Sequence, residues 1–220
     1  MFFEPNKNNH GLPYNPIKAC VVPRPIGWIT TINNDGLVNA APFSFFNALS
    51  YNPPFCLFSA GGHTNDEEDK DTVANVKANG EFVYNMATWS QREEMNETGF
   101  IIERNIRELS EANLKSLPSK IVKPPRISGS PVHFECKLHD IVVLPGNTKT
   151  ATHHVVFGEV IGVHIADDAI NQDGLVDVGM LKPISRLGYK DYAWTDDSVI
   201  FQMEKRTPEE LIGKPQEAAE

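Results

Sequence analysis

The chain is poor in cysteine, with three residues in 220, Cys20, Cys56 and Cys136. They stand far apart, form no C-x-x-C, and are odd in number, so they predict reduced, mostly buried thiols rather than a disulfide framework or a zinc site. There is no apolar run near the roughly 20 residues of a membrane-spanning helix. The opening MFFEPNKNNHGLPYNP lacks the basic start and apolar stretch of a secretory signal, and the expectation is a cytoplasmic protein. Positive charge is in deficit: 20 Lys+Arg against 29 Asp+Glu gives a net charge of −9, which argues against nucleic acid as a partner, because phosphate backbones demand a basic footprint. The G-x-G-x-x-G turn, the G-x-x-x-x-G-K-[ST] loop, G-x-S-x-G and H-E-x-x-H are all missing. Seven histidines are scattered without metal-ligand spacing, and no metal site is expected.

What is there is globular. Hydrophobic residues make up 40% and charged residues 22%, enough apolar mass for one large core. Residues 1–16 are polar and carry Pro5, Gly11, Pro13 and Pro16, and read as an arm. Residues 17–32 turn β-like, but Pro23 and Pro25 suggest an edge strand or a bulge. Asp35-Gly36 before LVNAAPFSFF is a hairpin signal, since Gly tolerates the positive φ of such turns. FCLFSA at 55–60 suits a buried strand. An acidic loop (61–71) leads to a short helix capped by Asp71 or Thr72 and ended by Gly80. EFVYNMA reads as a strand, 90–117 as helical, and 118–131 as a proline-rich connection. Residues 132–144 and 153–165 read as a long antiparallel pair, with Val132, Phe134, Cys136 and Leu138 on one buried face. Many strands with few helices point to a mainly β, barrel-like fold.

Lys70-Asp71-Thr72 opens a predicted helix, where free N–H groups and the helix dipole favour an anion. Asn75 lies one turn further on the same face. Read alone, the same residues describe an ordinary capped surface helix. His153-His154 sit on a predicted strand and point to opposite faces, so they cannot chelate as neighbours.

Three segments taken in order, RPIGWITTINNDGLVNAAPFSFFNALSYNPPFCLFSAG at 24–61, KDTVANVKANGEFVYNMA at 70–87 and HHVVFGEVIGVHI at 153–165, resemble the flavin reductase-like family of FMN-binding split barrels, in its flavoprotein oxygenase-like branch. The resemblance spans about 17–195, with 1–16 as an N-terminal arm and 196–220 as an acidic tail. It implies a Greek-key split barrel of about six antiparallel strands with a few helical insertions, working as a homodimer, with FMN (FAD as the variant) in each subunit. It implies hydride transfer from NADH or NADPH to that flavin, and onward delivery to free flavin, a partner oxygenase or another acceptor. An electron carrier or sensor without its own NAD(P)H oxidation is the alternative. A barrel holding haem is a third reading.

On this resemblance the cofactor contacts are Arg24, Trp28, Ile29, Thr30, Ser44, Phe45, Asn47, Ser59, Ala60, Lys70, Asp71, Thr72 and Asn75. Lys70, Thr72 and Asn75 would hold the phosphate. Ser44 and Asn47 would offer hydrogen bonds, with Phe45 and Phe46 either closing the site or filling the barrel. Ser59 and Ala60 would let the ring approach the backbone. The strand backbone around Ile29 would read the pyrimidine edge, Thr30 would reach the ring where hydride arrives, and Trp28 is either a wall of the ring or a core residue. His154, His153 and Thr30 are the catalytic candidates, with His154 favoured to face the site. Arg186, Tyr189 and Tyr192 resemble a segment that closes over the flavin.

Overall fold

The computed structural model describes residues 1–62, 69–99, 112–207 and 210. A single helical turn, α1 (Ile17–Cys20), leads into β1 (Arg24–Pro25) and β2 (Gly27–Ile32). The interrupting prolines fall before or within β1, so β2 is not the expected edge strand. It pairs with β3 (Val38–Phe43) on one side and β6 (Glu81–Met86) on the other. The Asp35-Gly36 turn forms because the Asn33 side chain accepts from the N–H groups of Asp35 and Leu37, while Gly36 takes φ 82°.

β4 (Phe46–Tyr51) and β5 (Pro54–Gly61) follow. Cys56, Phe58 and Ala60 of β5 point inward, as the period of two requires. α2 (Asp71–Asn79) ends at Gly80, whose φ of 70° is the left-handed cap that favours glycine. Its N-cap is Lys70, without a side-chain cap. The Thr72 hydroxyl instead accepts from Asn39 Nδ2 at 2.9 Å, Asn75 Nδ2 donates to Thr31 Oγ1 at 3.0 Å, and Asn79 Nδ2 to the Ile32 carbonyl at 2.7 Å. These three polar bonds and the buried Val73 and Val76 seat the helix on β2 and β3.

Of the expected helix at 90–117, α3 covers Arg92–Glu97, residues 100–111 lie outside the described set, and Ser116–Leu117 form a strand, β7, paired with β8 (Arg126–Ile127). β9 (Val132–Leu144) and β10 (His153–Ile165) form the long antiparallel pair, with bulges near Gly158 and Gly162. A short helix, α4 (Val178–Leu181), capped by Asp177, precedes β11 (Ile184–Arg186) and β12 (Tyr192–Trp194), which add to β1.

The main sheet among the described residues has seven antiparallel strands in the order β3-β2-β6-β9-β10-β5-β4. β3 and β4 are its two outer strands, yet only Ser44 and Phe45 separate them in sequence. So short a link forces the sheet to curl until its edges meet, with Phe43 against Phe58 at 5.0 Å and Phe46 stacked on Tyr84 at 4.6 Å. Phe46 presses onto Gly27, a position that has no room for a Cβ. The enclosed core includes Ile29, Phe58, Val76, Phe82 and Val156, and a second cluster around Trp28, Met95, Ile127 and Ile184 covers the other face of β2. Cys56 and Cys136 are buried free thiols with sulfurs 3.8 Å apart, and Cys20 is exposed.

One side chain takes three backbone N–H groups of the 118–131 connection. Glu135 on β9 is fully buried, and its carboxylate accepts from the N–H groups of Lys120 (2.8 Å), Ile121 (2.6 Å) and Val122 (3.1 Å) and contacts His164 Nε2 at 2.5 Å. Burial alone would raise its pKa, but these hydrogen bonds prevail and hold it at about 2.

Candidate functional site

The turn that closes the barrel also gathers charge. Ser59 N–H donates to the Phe45 carbonyl at 2.8 Å, fixing the 44–45 turn against β5. On β10, His153 pairs in register with Gly61, so its ring lies beside Ser59, with Nδ1 at 3.1 Å from the Ser59 hydroxyl. The Phe45 ring stands 5.8 Å from the His153 ring and 5.8 Å from the Arg24 guanidinium. Gly61 leaves space for the chain at Thr150: a Cβ there would meet the Thr150 carbonyl at 3.3 Å and His153 Nε2 at 3.5 Å.

Arg24 is buried, and its Nη1 donates to the carbonyls of Lys18, Val21 (2.8 Å) and Leu187 (2.8 Å). It thus ties α1 to the loop after β11. Burial and then the neighbouring Arg186 lower its pKa. The His153 pKa is lowered as well, by burial first and then by the positive fields of Lys18, His154 and Lys70. His154 faces the other way, as the strand requires, and its Nε2 sits 3.4 Å from Asp69. Lys70 lies 5.8 Å from the Phe43 ring. In a chain of net charge −9, the convergence of Lys18, Arg24 and Lys70 around His153 is a local positive field suited to an anion.

Two buried polar atoms here, Arg24 Nε and His154 Nδ1, have no hydrogen-bond partner. A buried unpaired polar group costs about 1–3 kcal/mol, and the unmatched Arg24 Nε–H belongs to the guanidinium that faces the Phe45 ring. The residues present fit a phosphate-bearing aromatic cofactor: cations, a hydroxyl, an imidazole and an exposed Phe45 ring stand together.

The structure divides the residues singled out from sequence. Arg24, Phe45, Ser59 and His153 meet, with Lys70 near enough to act on His153 and Ser44 half-buried in the same turn, while His154 faces Asp69. His153, not the favoured His154, is the imidazole beside Ser59 and Phe45. Asp71 is half-buried in the first turn of α2, whereas Thr72 and Asn75 are engaged with Asn39 and Thr31. Asn47 is exposed on β4, where its side chain accepts from the neighbouring Ala48 N–H.

Four candidates lie inside the protein. Trp28 is fully buried in the second core and donates to Thr98 Oγ1 at 2.9 Å, so its place is core, not wall. Thr30 is fully buried; its hydroxyl donates to the Pro125 carbonyl at 2.6 Å and accepts from Asn85 Nδ2 at 3.2 Å, which corrects its assignment to catalysis. Ile29 and Ala60 fill the barrel. The backbone of β2 cannot read a ligand edge over Gly27–Thr30, because both its sides are paired. Arg186 donates to the Tyr192 hydroxyl and the Tyr189 carbonyl, bracing its own loop. Lys18 was missed by sequence reasoning: its only local signal was a cation in an apolar segment, and its position follows from the Arg24 contacts. Asn85, which organises Thr30, Trp28 and Ile127, was missed too.

The sequence model described as flavin reductase like domain matches residues 19–185. An uncharacterized protein of Aquifex aeolicus is 40% identical over 179 residues, covering 81% of this chain and 88% of that protein. The crystal structure of nitrilotriacetate monooxygenase component B from Bacillus cereus superposes with a TM-score of 0.83 at 28% identity, covering 92% of this chain and 98% of that one. That of a 2-nitrobenzoate 2-nitroreductase from Pseudomonas fluorescens does so with 0.79 at 29%, covering 94% and 98%. No helix among the described residues is long and apolar enough to cross a membrane.

Proposed function

The chain belongs to the flavin reductase like family, and from that membership we propose that it is an FMN-dependent oxidoreductase that takes hydride from NADH or NADPH. The observation that supports the reading is the gathering of the Arg24 guanidinium, the Phe45 ring, the Ser59 hydroxyl and the His153 imidazole at the turn that closes the barrel. Arg24, Lys18 and Lys70 would hold the phosphate and offset the charge of the reduced cofactor. Bound FMN would supply a ring able to accept a hydride from a nicotinamide. Phe45 offers a flat apolar surface, and the Ser59 hydroxyl, oriented by His153, a hydrogen bond. With its pKa lowered, His153 is neutral at pH 7, so it positions by hydrogen bonding rather than by charge. Hydride transfer requires stacking and orientation more than an acid–base triad.

We place the homodimer contact on the faces that a single chain leaves apolar and open: edge strand β4, with Leu49 and Tyr51, and the outer ends of β9, Val142 to Leu144. The electrons would pass onward to a partner; the similarity to a monooxygenase component makes a partner oxygenase the first to try.

The test is a visible spectrum of the purified protein, before and after addition of FMN, followed by anaerobic NADH and then NADPH. Flavin bands near roughly 370 and 450 nm that bleach with one nucleotide support the proposal. Bands that persist with both move the protein to the electron-carrier reading, and no binding of FMN at all would sink the site.

A further inference from the structure

A second cleft, of about 320 Å³, opens between the turn before α3 and strand β12. Its floor includes the buried Met95 and Ile184, and its walls are Trp89, Tyr192 and Trp194. The two indoles lie 4.4 Å apart with planes tilted by 40°, and are 40% and 46% exposed. Neither is needed to fill a core, and two neighbouring indoles left half in water present flat apolar surface to a ligand. The volume stands at the lower end of the roughly 300–1,000 Å³ of small-molecule sites, which suits one or two rings.

The rim sets the charge. Arg92 stands 4.2 Å over the Trp89 ring, and its Nη1 donates to the Trp89 carbonyl at 2.9 Å. It is paired through Nε with Glu93, an exposed contact of 3.3 Å that costs little to loosen. Lys190 lines the same cleft and has no hydrogen-bond or ion-pair partner among the described residues. Among the lining side chains two cations stand against the Glu93 carboxylate, and the neighbouring Asp196 is engaged with Trp194 Nε1 at 3.3 Å, so the cations best placed to meet a ligand's head are Lys190 and Arg92, which favours an anionic head over a cationic one.

From these observations we infer that the cleft between α3 and β12 is a binding site for a planar aromatic carboxylate, separate from the Arg24–His153 site. The ring packs among the indoles and Tyr192, and the carboxylate meets Lys190 and Arg92. The two sites share the small β1-β11-β12 sheet: Tyr192 lines the cleft and holds Arg186, which pairs in register with Arg24. The inference does not rest on the flavin assignment, because its ligand is tested directly.

The experiment titrates benzoate, benzylamine and benzyl alcohol into the protein with and without saturating FMN, followed by tryptophan fluorescence and calorimetry. Two of the three tryptophans are in the cleft, so saturable quenching by benzoate is expected. Binding should weaken about tenfold, or about 1.4 kcal/mol, for benzylamine and for Lys190→Gln or Arg92→Gln. Lys190 is exposed, so Lys190→Gln keeps the fold, and calorimetry of Trp194→Ala should show the site lost while FMN content stays the same. Equal affinity for benzylamine, indifference to the three substitutions, no saturable binding, or displacement of benzoate by FMN would each overturn the inference.

Discussion

Replacing Glu135 by Gln tests a fully buried carboxylate that accepts from three backbone N–H groups. One carboxylate oxygen serves Lys120 N–H and His164, and the other serves Ile121 and Val122 N–H. A glutamine has one acceptor oxygen, so in either orientation its NH₂ faces at least one backbone N–H, and a buried donor is left unmatched. With the loss of charge assistance this costs about 2–4 kcal/mol. The same number comes from acid: the gap between an ordinary value of 4.5 and about 2 is worth about 3 kcal/mol. Because the folded-state value is depressed, that stability is present above pH 4.5 and is lost as the pH falls toward 2. His133 acts in the same direction in an earlier window. Burial first, with Arg126 and His164 behind it, outweighs its bond to the Ile127 carbonyl and lowers it from 6.5 to about 4, so its share fades as the pH drops from 6.5 to 4. Urea unfolding from pH 7 to pH 2.5 should show both windows in the parent protein. In Glu135→Gln the lower window should vanish, the upper one remain, and the pH 7 midpoint fall. A variant with the parent's midpoint and acid slope would refute the claim that this carboxylate anchors the 118–131 connection.

Thr30→Val removes the bond to the Pro125 carbonyl and an acceptor for Asn85, and should cost about 1–3 kcal/mol in urea while FMN affinity stays within about twofold. A large fall in FMN affinity would return Thr30 to the site. His153→Ala should raise the Kd for FMN about tenfold by fluorescence titration, and Ser59→Ala less, since the two share one contact. Because burial, with the fields of Lys18, His154 and Lys70, lowers the His153 pKa below its ordinary value, the ring is mainly uncharged at pH 7 and above, and the His153→Ala effect should be nearly the same at pH 7 and pH 8. An effect that shrinks from pH 7 to pH 8 would mean the ring acts by charge. Gly158→Ala would push a methyl into the Phe82 ring, 2.6 Å from Cε1, and toward Cys136, costing about 1–3 kcal/mol; an unchanged melting temperature would show that the barrel wall yields there.

The long strands were legible because their alternation is local, and β9 and β10 lie where it put them; the single buried face expected for β9 is not what forms, since His133 and Glu135 on the other face are buried while Phe134 and Leu138 are only half-buried. Gly80 and Asp35-Gly36 were legible for the same reason, since a left-handed φ is demanded by a few adjacent residues. β2 was not. GWITTI is buried on both faces, so its pattern is apolar and hydroxylic without a blank side, and nothing in it tells a ligand-facing Thr30 from one bonded to a carbonyl 95 residues away. The short strands β1, β11 and β12 escaped because two or three residues carry no period, and β7 because the charged stretch before it reads as helix.

The site itself was half legible, and the missing half is a matter of topology. Arg24 and Leu187 are 163 residues apart, and Ser59 and His153 are 94 apart, so no spacing rule connects them. They meet because a two-residue link joins the outermost strands of a seven-stranded sheet, which must then curl. The curl brings Phe45 against β5, and the antiparallel register of β5 with β10 delivers His153 opposite Gly61. A shift of that register by one residue would exchange His153 for His154 and turn the imidazole from Ser59 toward Asp69. Which of the two histidines stands beside Ser59 therefore follows from strand pairing, which also explains why a glycine at 61, with the Thr150 carbonyl 3.3 Å from where its Cβ would stand, lets the chain pass so close to His153.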